Sequence, residues 1–92
     1  MYSLFMAAIY EVEIENSAAK VLHRLQRHDQ VRIGTAIAAL SGDPRPHGCE
    51  KLTGTASTYR IRIGDYRVVY IVDDGIRVVT VTRVGHRKEV YR

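Results

Sequence analysis

The chain lacks a second cysteine, a long apolar run, an internal repeat and any low-complexity tract. With Cys49 alone, an internal disulfide is excluded and a reducing cytosol fits. No motif around Cys49 marks it as reactive, so it reads as structural or incidental. No stretch approaches the length of a membrane-spanning helix, so no membrane partner is expected. Met1 to Ile9 is apolar but has neither a basic start nor a cleavage pattern, which argues against a signal peptide, and Met6 is an alternative start. The four histidines are scattered and show no ligand spacing with the carboxylates, so neither a metal nor another cofactor is called for.

Ninety-two residues, 46% of them hydrophobic, make one globular domain over 1–92. Residues 1–8 are expected to form a poorly ordered extension. The fourteen Lys plus Arg outnumber the ten Asp plus Glu, and most of the basic residues are Arg. Arg presents a planar fork suited to phosphate, so the imbalance points to a polyanion, although an acidic protein would satisfy the same charge.

Along the chain, Tyr10, Val12 and Ile14 alternate with Glu11 and Glu13 as in a half-buried strand. Asn16 or Ser17 offers an N-cap for a helix whose apolar stripe is Ala18, Val21, Leu22 and Leu25. His28 and Asp29 interrupt the pattern. Ile33, Ala36, Ile37 and Leu40 then repeat the spacing on a second helix, which Gly42, as a left-handed cap, and Pro44 should end. Residues 43–58 are rich in turn formers and read as a surface loop.

The most informative stretch is Tyr59 to Tyr70, two alternating strands around Gly64-Asp65, a two-residue hairpin signal. This pairing puts Tyr59, Ile61, Ile63, Tyr66, Val68 and Tyr70 on a core face and Arg60, Arg62 and Arg67 on the other. Arg62 then faces Arg67, a like-charge pair that is unfavourable unless something anionic lies between them. Asp74-Gly75 predicts a second tight turn leading to a third strand, Ile76 to Val84. Val79 and Val81 should then join the core, and Val78, Thr80 and Thr82 the arginine face. The predicted fold is α+β: a strand, a helical hairpin, then a three-stranded antiparallel meander, with the helices packed on one face of the sheet. Val69, Ile71 and Val78 leave an apolar patch beside the arginines on the uncovered face, more than solvation requires, so that face is expected to meet a partner.

The tail Gly85 to Arg92 packs an imidazole, cations, a carboxylate and a phenol into eight residues, and the meander should bring it beside Arg62 and Arg67. Such a group suits RNA cleavage, in which a 2′-hydroxyl attacks the adjacent phosphate. That step needs a base, cations around the developing charge and an acid for the leaving oxygen. Arg60, Arg62, Arg67 and Arg87 offer the clamp, Tyr91 a stacking or proton-transfer group, and His86 the side chain that titrates nearest neutrality. A histidine beside arginines is ordinarily a solvated surface residue, and His23, His28 and His47 are read that way. Tyr59, Tyr66 and Tyr70 read as sheet packing.

Lys51-Leu52-x-Gly54, Tyr59 to Arg62, Gly64 to Tyr70 and Arg83 to Tyr91 together resemble the RelE family of bacterial and archaeal toxins. The resemblance covers nearly the whole chain in element order. It implies a cytoplasmic toxin of a type II toxin–antitoxin system that cleaves messenger RNA on the ribosome without a metal. It also implies an acidic, RelB-like antitoxin and binding of operator DNA through the toxin–antitoxin complex. The family's active-site positions carry over to Arg60, Arg62, Arg67, Arg87 and Tyr91, with His86 adjacent. Catalytic roles fall to Arg62, Arg67, His86, Arg87 and Tyr91, and RNA binding to Lys51, Arg60, Arg62 and Arg67. Antitoxin contact falls to Val69, Ile71 and Val78. Where the family pattern has lysines, this chain has Arg60 and Arg62, and Arg62 is a poor proton acceptor. Two alternatives stand beside the nuclease: the ParE branch, which shares the fold but poisons DNA gyrase, and a binding-only module that serves its antitoxin and operator.

Overall fold

The structure, a computed structural model, describes the backbone of residues 9–90 and the side chains of residues 9–88. The expected extension at 1–8, together with Tyr91, lies outside those residues. The elements are β1 (Glu11–Ile14), α1 (Asn16–Arg24), α2 (Arg27–Ala39), β2 (Glu50–Lys51), β3 (Thr58–Ile63), β4 (Tyr66–Asp73), β5 (Val78–His86) and the single-turn α3 (Arg87–Val90). Strand order is β1-β5-β4-β3-β2, with β1 parallel to β5 and the other pairs antiparallel. The α+β layer is the expected one, widened at both edges. One edge gains β1; the other gains the two-residue β2, inside the stretch read as loop. Both edge strands are short and carry exposed Glu11, Glu13 and Glu50, which discourages further strand pairing.

The core lies between the helices and one sheet face. Ile33, Ile37 and Leu40 of the second helical stripe, with Ala18 of the first, meet Ile61, Val68, Tyr70, Val72, Val79, Val81 and Val84. Burying each large side chain contributes about 1.5–3 kcal/mol. The helix boundaries differ from the sequence reading. Neither Asn16 nor Ser17 caps α1; Glu15 occupies the cap position with extended backbone and no side-chain bond. The helices part at Leu25-Gln26 rather than His28-Asp29. Leu25 leaves the helical path to pack against the core, while Asp29 sits in the first turn of α2, where negative charge suits the helix dipole. Gly42 is not a left-handed cap. Successive tight bonds instead close the end of α2, from Leu40 N–H to Ile37 O, Ser41 N–H to Ala38 O and Gly42 N–H to Ala39 O.

The two hairpins differ. Gly64-Asp65 is the two-residue turn expected, and positive φ falls on Gly64 alone (60°), as in a type II′ turn. Asp74-Gly75 is not a two-residue loop. The Asp73 carboxylate accepts the N–H groups of Gly75 (3.0 Å) and Ile76 (3.2 Å), stretching the loop to residues 74–77 and leaving the positive φ on Arg77 (57°). Tyr70 therefore pairs with Val81 rather than Val79. The two-residue slip preserves face parity, so Val79 and Val81 still enter the core. A bulge then leaves Thr82 unpaired between Val81 and Arg83, setting Arg83 opposite Val69 and Val84 opposite Val68.

A latch ties the far end of the sheet to the loop after α2. Arg45 forms two hydrogen bonds with the Asp74 carboxylate (2.7 and 3.2 Å) and donates a third to the Tyr59 hydroxyl (2.9 Å), while Tyr10 donates to Asp74 (2.6 Å). Below it the buried Tyr70 hydroxyl donates to Pro44 O (2.8 Å), and its ring stacks on Tyr59. The three meander tyrosines pack as the sequence indicated. Among the described residues no helix is long and apolar enough to cross a membrane.

Candidate functional site

The uncovered face is built from the residues that alternate with the core. Four positions form one row across the strands: Glu50, Arg60, Val69 and Arg83. Beside it lies a second: Arg62, Arg67 and Gly85. Further along, Ile71 pairs with Thr58 and Thr80, and Val78 pairs with Asp73. The expected patch is therefore present: Val69 and Val78 are half-buried and Ile71 is exposed.

Arg67 is the unusual member. It is only 6% exposed, yet among the described residues it has no carboxylate partner. Its Nη1 donates to the carbonyls of Tyr66 (3.0 Å) and Gly64 (3.3 Å), and its Nε is buried without an acceptor. Arg62 stands directly opposite, exposed, and the buried Gly85, which has no side chain, pairs with Arg67 on the other side. A guanidinium remains protonated at any ordinary pH, so burial cannot relieve its cost by deprotonation. The arrangement is suited to an arriving anion, with one cation buried and an exposed one directly across from it.

Two residues of this face escaped the sequence reading. Glu50 pairs with Arg60, and its carboxyl is held below the usual range by the Arg60 hydrogen bond first, then by the charges of Arg60, Arg62 and Arg67. It lies in a turn-rich stretch without alternation, so no periodic signal gave it a face. Arg83 belongs here because of the bulge, which simple alternation from the turn does not reveal.

His86 and Lys51, two other predicted site residues, fall on the opposite face. His86 pairs with Tyr66 and shares its face, the helix side, with the rings edge-to-face at 5.7 Å. There Asp29, Arg32, Gly64, Asp65, Tyr66 and His86 line a hollow of about 310 Å³, so the imbalance of parity separates His86 from Arg62 and Arg67. Its Nδ1 accepts the Lys88 N–H at 3.3 Å. Lys51 pairs with Tyr59, again out of phase with the arginines. Arg87 begins α3 at the hairpin tip, its N–H donating to Asp65 O (2.8 Å), and its side chain is exposed. Among the described residues no three His, Cys, Asp or Glu side chains converge to hold a metal ion.

Comparison with known proteins agrees with the fold. Residues 12–91 match the family model described as ParE toxin of the type II toxin–antitoxin system parDE. Toxin RelG of Mycobacterium tuberculosis is 33% identical over 84 residues, spanning 90% of this chain and 97% of that protein. The archaeal RelE–RelB complex from Pyrococcus horikoshii contains a chain that superposes with a TM-score of 0.79 at 30% identity, covering 88% of this chain and 98% of that one. The isolated Escherichia coli RelE toxin superposes at 0.75, also with 30% identity, covering 89% and 90% respectively. This chain belongs to the RelE family, within the RelE/ParE toxins of type II toxin–antitoxin systems.

Proposed function

We propose that this toxin is a metal-independent, ribosome-dependent endoribonuclease that cleaves messenger RNA by 2′-hydroxyl attack on the adjacent phosphate. The observation that carries the reading is buried Arg67 opposite Arg62, a cation pair with no carboxylate bonded to either member among the described residues. A scissile phosphate fits between them, and the guanidinium groups offset the extra negative charge of the pentavalent transition state. Tyr91 is the candidate for base stacking or proton transfer. His86, on the helix side, fits catalysis less well than its neighbourhood in sequence implied.

The partners that follow are the ribosome and its message, an acidic RelB-like antitoxin, and operator DNA held through the antitoxin complex, all in the cytoplasm. The antitoxin's acidic side chains would take the place of the RNA phosphate, and its apolar ones would meet Val69, Ile71 and Val78. The RelE–RelB complex among the similar structures supports a partner of this kind. The second reading is gyrase inhibition, favoured by the match to the ParE family model.

The test is expression from a tightly repressed promoter, with messenger 5′ ends mapped and gyrase-trapped DNA breaks assayed in the same cells. New 5′ ends within translated regions are expected. Intact messages accompanied by gyrase-dependent breaks would sink the nuclease and establish the gyrase reading.

A further inference from the structure

Arg83 reaches the arginine face only through the bulge in β5. Val79 and Val81 point into the core, and strict alternation would send Arg83 after them. The extra residue, Thr82, reverses the phase. Arg83 comes to lie opposite Val69, exposed, while Val84 enters the core. The Thr82 hydroxyl donates to Val69 O at 3.3 Å, a bond that braces the bulge against β4. Bulges re-aim side chains beside sites of chemistry. The result here is a further cation beside Arg60, Arg62 and Arg67, which like-charge repulsion opposes.

The placement of Arg83 suits a second phosphate. Gly85 sits opposite Arg67, so Arg83, two residues before it, is the diagonal neighbour of Arg67, about 7–8 Å away. That matches the step between consecutive phosphates of an extended RNA strand. Arg60 is the diagonal neighbour on the other side, and it is bonded to Glu50. Arg83 borders open space instead. β1 ends at Ile14, opposite Val81, and past that point a hollow of about 450 Å³ opens along the outer edge of β5. Ser17 of α1, Thr82, Arg83 and Gly85 are among its walls, so it begins one strand away from Arg67.

We propose that Arg83 and this hollow form the subsite for the nucleotide next to the scissile phosphate, with Arg83 binding that nucleotide's far phosphate and the hollow receiving its nucleoside. The proposal rests on the nuclease reading above. A guanidinium pairs with a phosphate through two parallel N–H donors, so Arg83 can grip a linkage as well as attract it. It is a positioning residue, standing one phosphate away from the reacting atoms. With the scissile phosphate at Arg62 and Arg67 and the next at Arg83, the strand is led from β4 toward β5, and the linkage to be cut cannot swing away. Phosphate contacts position the strand without reading its sequence, so the contribution should be alike for all cleaved sequences.

The test is single-turnover cleavage of a ribosome-bound message by an excess of the full chain, which yields a saturated rate and a half-saturating concentration. Two further messages each carry one neutral methylphosphonate, on one side or the other of the cleaved linkage. On the all-phosphate message Arg83→Ala should raise the half-saturating concentration about tenfold, with less than about a threefold fall in the saturated rate. Arg83→Lys should recover part of that loss. One of the two methylphosphonates should weaken wild type to the same extent and leave Arg83→Ala nearly unchanged, a coupling that a merely structural role would not produce. Ser17→Trp, a substitution at an exposed position on the hollow's wall, should also raise the half-saturating concentration while melting as wild type does. Half-saturation unmoved by Arg83→Ala or by Ser17→Trp overturns the proposal and leaves the nuclease standing. So do methylphosphonate penalties that are equal in wild type and Arg83→Ala, or an Arg83→Ala defect confined to antitoxin binding. Failure of wild type to cleave at all overturns the nuclease reading, and the subsite with it.

Discussion

Consecutive residues of β4 face opposite problems. Val68 and Tyr70 lie fully buried beneath the helices, and the one polar group they bring, the Tyr70 hydroxyl, is bonded to Pro44 O. Arg67 is almost as deeply buried on the other side of the sheet, yet it carries a full charge, a neighbouring cation and an Nε without an acceptor. The covered face is complete within the chain. Among the described residues the other face is incomplete, and its unmet needs match an anion with apolar surroundings. Burial alone therefore does not distinguish core from site; satisfaction of the buried polar atoms does.

That contrast is most strongly tested by deleting a side chain from each face. Ile33→Ala, in the core, should lower stability by about 2–5 kcal/mol in urea unfolding, because the rigid sheet beneath cannot fill the cavity. Arg67→Met should do the reverse. Its cleavage rate is expected to fall about 10²- to 10³-fold, as when a donor to a developing oxyanion is removed. Its folding stability should be unchanged or higher, because a buried charge with no carboxylate partner among the described residues has been replaced by an apolar side chain. An Arg67→Met protein that is both unstable and fully active would erase the distinction between the faces.

Smaller effects sharpen it. Tyr70→Phe should cost about 1–3 kcal/mol, since Pro44 O loses its donor inside the core. The Tyr70 phenol is raised above its usual range, chiefly by burial. Its contribution is therefore complete below the unfolded phenol's value near 10 and is lost as pH climbs toward the folded value, a loss at alkaline pH that Tyr70→Phe should lack. Gly64→Ala should cost about 1–2 kcal/mol, because an alanine resists positive φ. Its added carbon would also stand 3.0 Å from the Arg32 guanidinium.

The smallest change concerns the latch. Hydrogen bonds from Arg45 and then Tyr10 hold the Asp74 carboxyl below its usual range. A depressed folded value means that its stabilisation is present above the unfolded carboxyl's value near 4 and disappears as pH falls through the folded one. Asp74→Asn should thus flatten the acid limb of urea midpoints slightly, and added salt should shrink the difference because the pair is exposed.

Much of the fold was legible from local chemistry. Alternation identified the strands, period-3.6 spacing the helices, and Gly64-Asp65 the register that sets Arg62 against Arg67. Misreadings arose where a side chain substituted for a backbone signal. The Asp73 carboxylate lengthened the second turn, and the pull of the core on Leu25 moved the break between helices. The site was legible as a cationic face but not as a constellation. Strand parity within the hairpin found Arg60, Arg62 and Arg67. Pairing between distant strands was needed to find Glu50, and a bulge to find Arg83.

The sequence by itself determined which residues oppose which within the first hairpin, because side chains alternate with period two and the turn fixes the phase. Tertiary structure decided which opposing charges acquire a partner and at what depth. Only the assembled sheet brings Glu50 to Arg60, turns His86 to the helix side and buries Arg67 with Gly85 beside it. Those relations depend on contacts between segments far apart in the chain, and local periodicity carries no information about them.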